Sequence, residues 1–227
     1  MGRTHATRNL KHASSDTLEK LRDASAVLVA HEHQISPHLM TDLLLIREET
    51  TAALHDLAHV GIDWSWWTVI LLKPDCLARE LTESVLAAVS EHVTIIAQQT
   101  VHPAAEQIFA HYDDIVPLSA EFGVDVPAEL RRIYLGQAVI VAIGHGPSAA
   151  ARLRAVLGPT DPGDADQATI RGRFGLDTLA KARADGRLID NLIHTSDHAG
   201  VVARDLAIWF GPDATALLIP PDPGEPS

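Results

Sequence analysis

Thr68-Val69-Ile70-Leu71-Leu72-Lys73-Pro74-Asp75 is the stretch from which the architecture of the chain follows. Its first five residues are β-branched or aliphatic and form an apolar run of strand length, as expected of a buried strand. Pro74 has no N–H to donate to a sheet ladder, so the strand stops there and leaves Lys73 at its end. Working outward toward the C-terminus, the pattern predicts a helix over 78–91 and a strand over 93–101. His102-Pro103 opens a helix that carries Tyr112, and Pro127 opens another that runs to about Tyr134. The clearest strand is 138–143, Ala-Val-Ile-Val-Ala-Ile. A helix over 147–157, with Arg152 and Arg154, leads into a Gly-, Pro- and Asp-rich loop over 158–175 that holds Thr160 and Arg171. Ordered loops of that length inside a compact domain are usually functional. A last strand over 188–193 ends at His194, and a helix over 199–210 closes the domain.

The order β-α-β-α-α-β-α-loop-β-α predicts an α+β fold. The expected core is a ferredoxin-like βαββαβ unit, a four-stranded antiparallel sheet with helices packed on one face. Toward the N-terminus, residues 1–13 supply no periodic apolar face and read as a disordered arm. Ser15 or Asp16 caps a helix, Ser36-Pro37 starts a second, and Gly61 ends it, which predicts a helical hairpin over 14–60. His31, His33 and His38 lie near its turn with spacing that does not suit one helix face, and they read as solvated rather than metal-binding. Asp63-Trp64-Ser65-Trp66-Trp67 reads as an aromatic plug between hairpin and domain. The expected organisation is an extension over 1–63, one domain over 64–212, and a Pro-rich mobile tail over 213–227.

Composition narrows the partners. Eighteen Lys+Arg against thirty Asp+Glu leave a net charge of −12, which argues against unaided binding to nucleic acid or an anionic membrane. A phosphate ligand would therefore need a locally basic pocket. The single Cys76 excludes an internal disulfide and a multi-cysteine zinc site. No stretch approaches the roughly 18 apolar residues of a membrane span, and residues 1–12 lack the apolar segment of a secretory signal. A cytoplasmic protein is expected.

The chemistry gathers at element ends. His194 follows an apolar run and precedes small hydroxyl residues and a carboxylate, in Asn191-Leu192-Ile193-His194-Thr195-Ser196-Asp197. Imidazole can attack an electrophile near neutral pH without a separate base, so a histidine held at a strand end is a plausible phosphate carrier. Lys73, Arg154 and Arg171 could supply positive charge to a polyphosphate, with Thr160 and Asn191 as neutral donors. Tyr112 and Ser196 could hold the histidine and the transferring group in place. Singly, each is as consistent with packing or a solvated surface.

Together these motifs resemble the nucleoside diphosphate kinase family over about residues 67–210. Lys73-Pro74-Asp75 resembles the family's first-strand motif and His111-Tyr112 its helix motif. Leu157-Gly158-Pro159-Thr160-Asp161-Pro162, followed by Thr169-Ile170-Arg171-Gly172, resembles its long nucleotide-binding loop. Asn191-x-x-His194-x-Ser196-Asp197 resembles its phosphohistidine signature, with Asp205 and Ile208-Trp209-Phe210 in register behind it. The resemblance implies ping-pong transfer of the γ-phosphate of a nucleoside triphosphate to a nucleoside diphosphate through a phosphohistidine at His194. It implies that Lys73 contacts the sugar and the migrating phosphate, and that Tyr112 contacts the histidine and phosphate. Arg154, Thr160 and Arg171 would hold the β- and γ-phosphates, and Asn191 would meet the ribose. Ser196 and Asp205 would support the histidine, with Asp205 accepting a hydrogen bond from the imidazole. Mg²⁺ carried on the nucleotide phosphates, with no protein cage, and a homo-oligomer are also implied.

The sequence departs from the family pattern in four ways, three single residues and, fourth, two lengthened segments. Thr195 stands where the family has glycine, Asp205 where it has glutamate, and Arg173 where it has aspartate. A run over 179–190 lengthens the approach to Asn191. The segment from Tyr112 to Gly136 is also longer than usual, leaving Phe122 as a candidate for the base-stacking phenylalanine. Both insertions fall at the nucleoside end. Two other functions are consistent with them: a specialised kinase with altered acceptor specificity, and a weakly active nucleotide-binding interaction module.

Overall fold

A computed structural model describes residues 61–211 and 214–220. The N-terminal arm, the helical hairpin with its histidines, and the last residues of the Pro-rich tail lie outside the described residues.

Four strands form one sheet in the order β2-β3-β1-β4, with every neighbour antiparallel. The strands are β1 (Trp67–Leu72), β2 (Thr94–Val101), β3 (Val139–His145) and β4 (Ile193–Thr195). This is the expected ferredoxin-like arrangement. The helices do not pack on one face, however. All six residues of β1 are buried, and alternate side chains feed two separate cores. Trp67, Val69 and Leu71 join one core with Val139, Val141 and Ile143, while Ile70 and Leu72 join the other with Ala142. A continuous apolar strand needs cover on both sides.

Over the first face lie α3 (Ala105–His111), α5 (Val126–Tyr134) and α9 (Val202–Phe210), with the short α4 (Ser119–Phe122) before α5. Over the second lie α1 (Pro74–Ala78), α2 (Thr82–Ser90), α6 (Ala149–Leu157) and α7 (Ile170–Phe174). The helix expected over 78–91 is thus two, because Glu80 takes the left-handed φ of 56° and turns the chain between them. Two further short helices follow, α8 (Leu179–Ala184) and α10 (Ala214–Leu217). Ala214 is buried, and Leu217 and Leu218 pack on the first core. Residues 214–218, expected in a mobile tail, are therefore held by apolar burial.

The last strand is shorter than predicted. Only Ile193–Thr195 pairs, with Leu71 opposite His194. Upstream, the backbone polar groups bond to side chains instead of a ladder. Leu188 N donates to Glu129, Asp190 N to Asp177 and Leu192 N to Asp75, while the Ile189 carbonyl accepts from Lys73. Leu192 itself is left-handed, with φ 67°. The apolar character of 188–192 thus reflects burial in a loop.

Candidate active site

His194 shares a face with its cross-strand partner Leu71 and points into the first core's edge, toward α3 and α9. Its ring meets His111 edge to face at 4.7 Å between centroids, and Tyr112 at 6.0 Å. Its neighbours Ile193 and Thr195 are buried on the opposite face, as strand alternation requires. Among the described residues no side chain or backbone group hydrogen-bonds to the His194 ring. Burial lowers its pKa to about 4, opposed by Asp197 and reinforced by Arg171, Arg154 and Lys73. The imidazole is therefore neutral at physiological pH, the form with a free lone pair.

A cleft of about 300 Å³ opens in front of it, lined by Lys73, Tyr112, Arg154, Thr160, Arg171, Asn191 and His194. Every residue assigned from the sequence to the phosphate, the sugar or the nucleophile is thus brought to one cavity. Lys73 is 6% exposed, and its Nζ donates to Asn191 Oδ1 at 3.0 Å and to the Ile189 carbonyl at 3.3 Å. Burial lowers its pKa, offset by Asp75 and Asp190. Asn191 Nδ2 donates in turn to the Thr160 carbonyl at 3.1 Å, so lysine, asparagine and nucleotide loop form one chain of contacts. The Thr160 side chain is exposed on the loop.

Arg171 is 2% exposed and has no carboxylate partner among the described residues. Its guanidinium donates to four main-chain carbonyls, those of Gly158, Pro159, Asn191 and Ile193. Burial and the nearby Arg154 push its pKa down to about 10, so it stays charged. A buried cation held only by carbonyl dipoles retains an unneutralised charge for an anion in the cleft. Gly158, whose carbonyl is one of the four, has φ 83°, and a Cβ there would lie 2.6 Å from Thr169 Oγ1. Arg154 is half-exposed and sits 3.4 Å from Asp197.

The support of His194 differs from expectation. Asp205 does not accept a hydrogen bond from the imidazole. Its Oδ2 accepts from Ser196 Oγ at 2.7 Å, and Ser196 Oγ accepts from Val69 N at 3.1 Å. Its Oδ1 lies 3.5 Å from Arg204 and 3.9 Å from His111 Nδ1, with no hydrogen bond. The shorter aspartate side chain ends at Ser196 and so acts on β4. Burial lifts the Asp205 carboxyl to about 6, against the pull of Arg204 and Ser196. Thr195, fully buried, has an ordinary negative φ, so the missing glycine leaves the backbone beside His194 in regular strand geometry.

Tyr134, His111 and the side chains of the 179–190 run were given no role at the site from sequence. Tyr134, at the end of α5, hydrogen-bonds through its hydroxyl to that of Tyr112, and these are the only two tyrosines in the chain. His111, behind His194, accepts from Trp209 Nε1 at 3.1 Å; burial holds its pKa well below the usual range, so it is neutral. The run over 179–190 contributes Leu179, Ala182, Arg183, Arg187 and Leu188 to one side of the cleft, facing Ile115, Phe122, Leu130 and Ile133. A tyrosine on a helix and an arginine in an insertion carry no local motif, so only the tertiary fold could reveal them. No helix among the described residues is long and apolar enough to cross a membrane, and no three of their His, Cys, Asp and Glu side chains are placed to hold a metal.

An antiparallel ferredoxin-like sheet with a neutral histidine at a strand end, facing a cleft ringed by lysine and arginine, defines an α+β protein built to receive a polyphosphate. The nucleoside diphosphate kinase family model matches residues 67–215, from β1 into α10, and the chain belongs to that family. It is a phosphotransferase acting between nucleotides. The nucleoside diphosphate kinase of Mycobacterium avium is 32% identical over 149 residues, covering 65% of this chain and 97% of that one. That of Pyrobaculum aerophilum is 28% identical over 171 residues, covering 63% and 93%. Among solved structures, a transition-state mimic of the Borrelia burgdorferi enzyme with bound vanadate and ADP superposes with a TM-score of 0.59 at 26% identity. It covers 65% of this chain and 88% of that one.

Proposed function

We propose that the chain moves the γ-phosphate of a nucleoside triphosphate to a nucleoside diphosphate by a ping-pong route through His194. The observation that carries this is the neutral imidazole of His194, without a hydrogen-bond partner among the described residues, in a cleft lined by Lys73, Arg154 and Arg171. In the first half-reaction a ring nitrogen attacks the γ-phosphorus and the bond to the β-bridging oxygen breaks, releasing the diphosphate. In the second, a terminal oxygen of the acceptor diphosphate attacks the phosphohistidine and the P–N bond breaks. Lys73, Arg154 and Arg171 stabilise the equatorial oxygens while Thr160 and Tyr112 add donors, which is most of what phosphoryl transfer asks of a protein. Asn191 and Lys73, already joined, meet the ribose. Ser196, held by Asp205, fixes the strand that presents the histidine.

Mg²⁺ would be carried on the nucleotide phosphates beside Lys73, Arg154 and Arg171 and would offset part of their negative charge, since a hard cation that keeps its waters needs no dedicated protein cage. The wall over 179–190 bounds the nucleoside end and favours selection among acceptors, as in a specialised kinase. A reducing, cytoplasmic setting fits the single buried thiol of Cys76, and a homo-oligomer is the expected assembly. The test is transfer of label from [γ-³²P]ATP with Mg²⁺ to a panel of diphosphates. An acid-labile, base-stable protein label, absent in His194→Ala, is expected; folded wild-type protein that takes no label rules the proposal out.

A further inference from the structure

Tyr112 and Tyr134 meet hydroxyl to hydroxyl at the wall of the cleft, with ring centroids 5.6 Å apart. Burial raises both pKa values, so each phenol keeps its proton at neutral pH. Two protons therefore serve one contact, and one must be directed elsewhere. Tyr134 is 1% exposed, and its hydroxyl has no other partner among the described residues. If it merely accepted, its own O–H would be a buried donor without an acceptor, which is costly. Tyr112 is half-buried in the cleft within 6.0 Å of the His194 ring. Its O–H is open to an acceptor there, whereas Tyr134, although it also borders the cleft, is almost fully closed off.

We propose that Tyr134 is a positioning residue whose hydroxyl donates to the oxygen of Tyr112, so that the Tyr112 O–H is turned into the cleft as a donor to the transferring phosphate. The inference rests on the phosphotransfer reading. The received hydrogen bond both fixes the rotor of Tyr112 and polarises its O–H, making it a stronger donor to an anionic oxygen. Tyr134 never touches the substrate and acts only through Tyr112.

The test uses Tyr112→Phe, Tyr134→Phe and the double variant, all of which keep the buried rings. For ATP-to-diphosphate transfer, Tyr112→Phe should lower kcat by about tenfold or more, the scale of one lost charge-assisted hydrogen bond. Tyr134→Phe should lower kcat by about three- to tenfold, with KM for the diphosphate within about twofold of wild type. In the Tyr112→Phe background, Tyr134→Phe should cost nothing further. An equal loss in both backgrounds, or no loss, overturns the proposal. Thermal unfolding supplies a readout independent of turnover. Tyr112→Phe strands the Tyr134 donor and should lower Tm more than Tyr134→Phe; the reverse order overturns the proposed direction. If wild-type protein fails to transfer phosphate at all, the phosphotransfer reading falls, and the order of Tm values still decides which phenol donates.

Discussion

Arg171 shows how one side chain can tie the walls of the site together and still leave its charge facing the cleft. Its fork spans four carbonyls from two segments, the nucleotide loop and the approach to β4. Lysine carries the same charge but has no planar fork. We predict that Arg171→Lys lowers stability by about 1–3 kcal/mol and cuts phosphoryl transfer more than tenfold; urea denaturation and turnover both unchanged would contradict this. His194 makes a second prediction at this scale. With its pKa lowered to about 4, the folded imidazole stays neutral until pH falls to that value, whereas an unfolded one protonates near about 6.5. Between those pH values the unfolded chain binds the extra proton, so this group's effect is to reduce stability as pH falls through the window. An NMR titration of the His194 ring, assigned against His194→Ala, should show a midpoint near 4; a midpoint near 6.5 would show that the ring is not desolvated.

At the scale of elements, the nucleotide loop depends on close approach. A Cβ at Gly172 would lie 2.0 Å from the Asp166 carbonyl oxygen, and Gly172 follows Arg171 directly in α7. Gly172→Ala should therefore destabilise by at least about 2 kcal/mol and displace the arginine, seen as a rise in KM for nucleotide; a near-neutral effect on both would refute the packing argument. The insertion is tied down by a bidentate pair, Arg187 Nη1 and Nη2 to Asp177 at 2.6 and 2.9 Å. Hydrogen bonding from Arg187 lowers the Asp177 pKa to about 2. Because the folded value is depressed, its contribution is present above about pH 4 and lost as pH falls toward 2. Asp177→Ala at neutral pH should free Arg187, speed amide exchange over 178–190 and flatten acceptor preference. Unchanged exchange there would mean that the wall does not depend on this pair. The wall was legible only as extra length. Its order comes from Asp177 and Glu129, distant in sequence from the groups they hold.

For the whole molecule, the described residues of the two cores run from Ile62 to Leu218. A chain lacking residues 1–60 should fold and retain His194 labelling, while full-length protein should sediment above its 24.5 kDa monomer mass. A truncated chain that is unfolded would show that the extension completes a core; a full-length monomer would refute the assembly. Trp66, 41% exposed beside His145, stands where the extension enters the domain, so its fluorescence should report the truncation.

The sequence by itself determined three of the four strands, the order of elements along the chain, and that Lys73, Tyr112, Arg154, Thr160, Arg171, Asn191 and His194 belong to one site. The first strand's apolar run stops at Pro74, the helix before the long loop at Gly158 and the last apolar stretch at His194, and these local signals depend on neighbours a few residues away. It also determined the family, because the motifs occur in order at element ends. Only the tertiary structure decided that the sheet is covered on both faces, that 188–192 is a loop, and that Asp205 reaches Ser196 instead of His194. The same holds for the meeting of Tyr112 with Tyr134. Each of these turns on where a side chain ends in space, across separations of 9 to 117 residues in its hydrogen bonds, a distance over which sequence spacing carries no geometry.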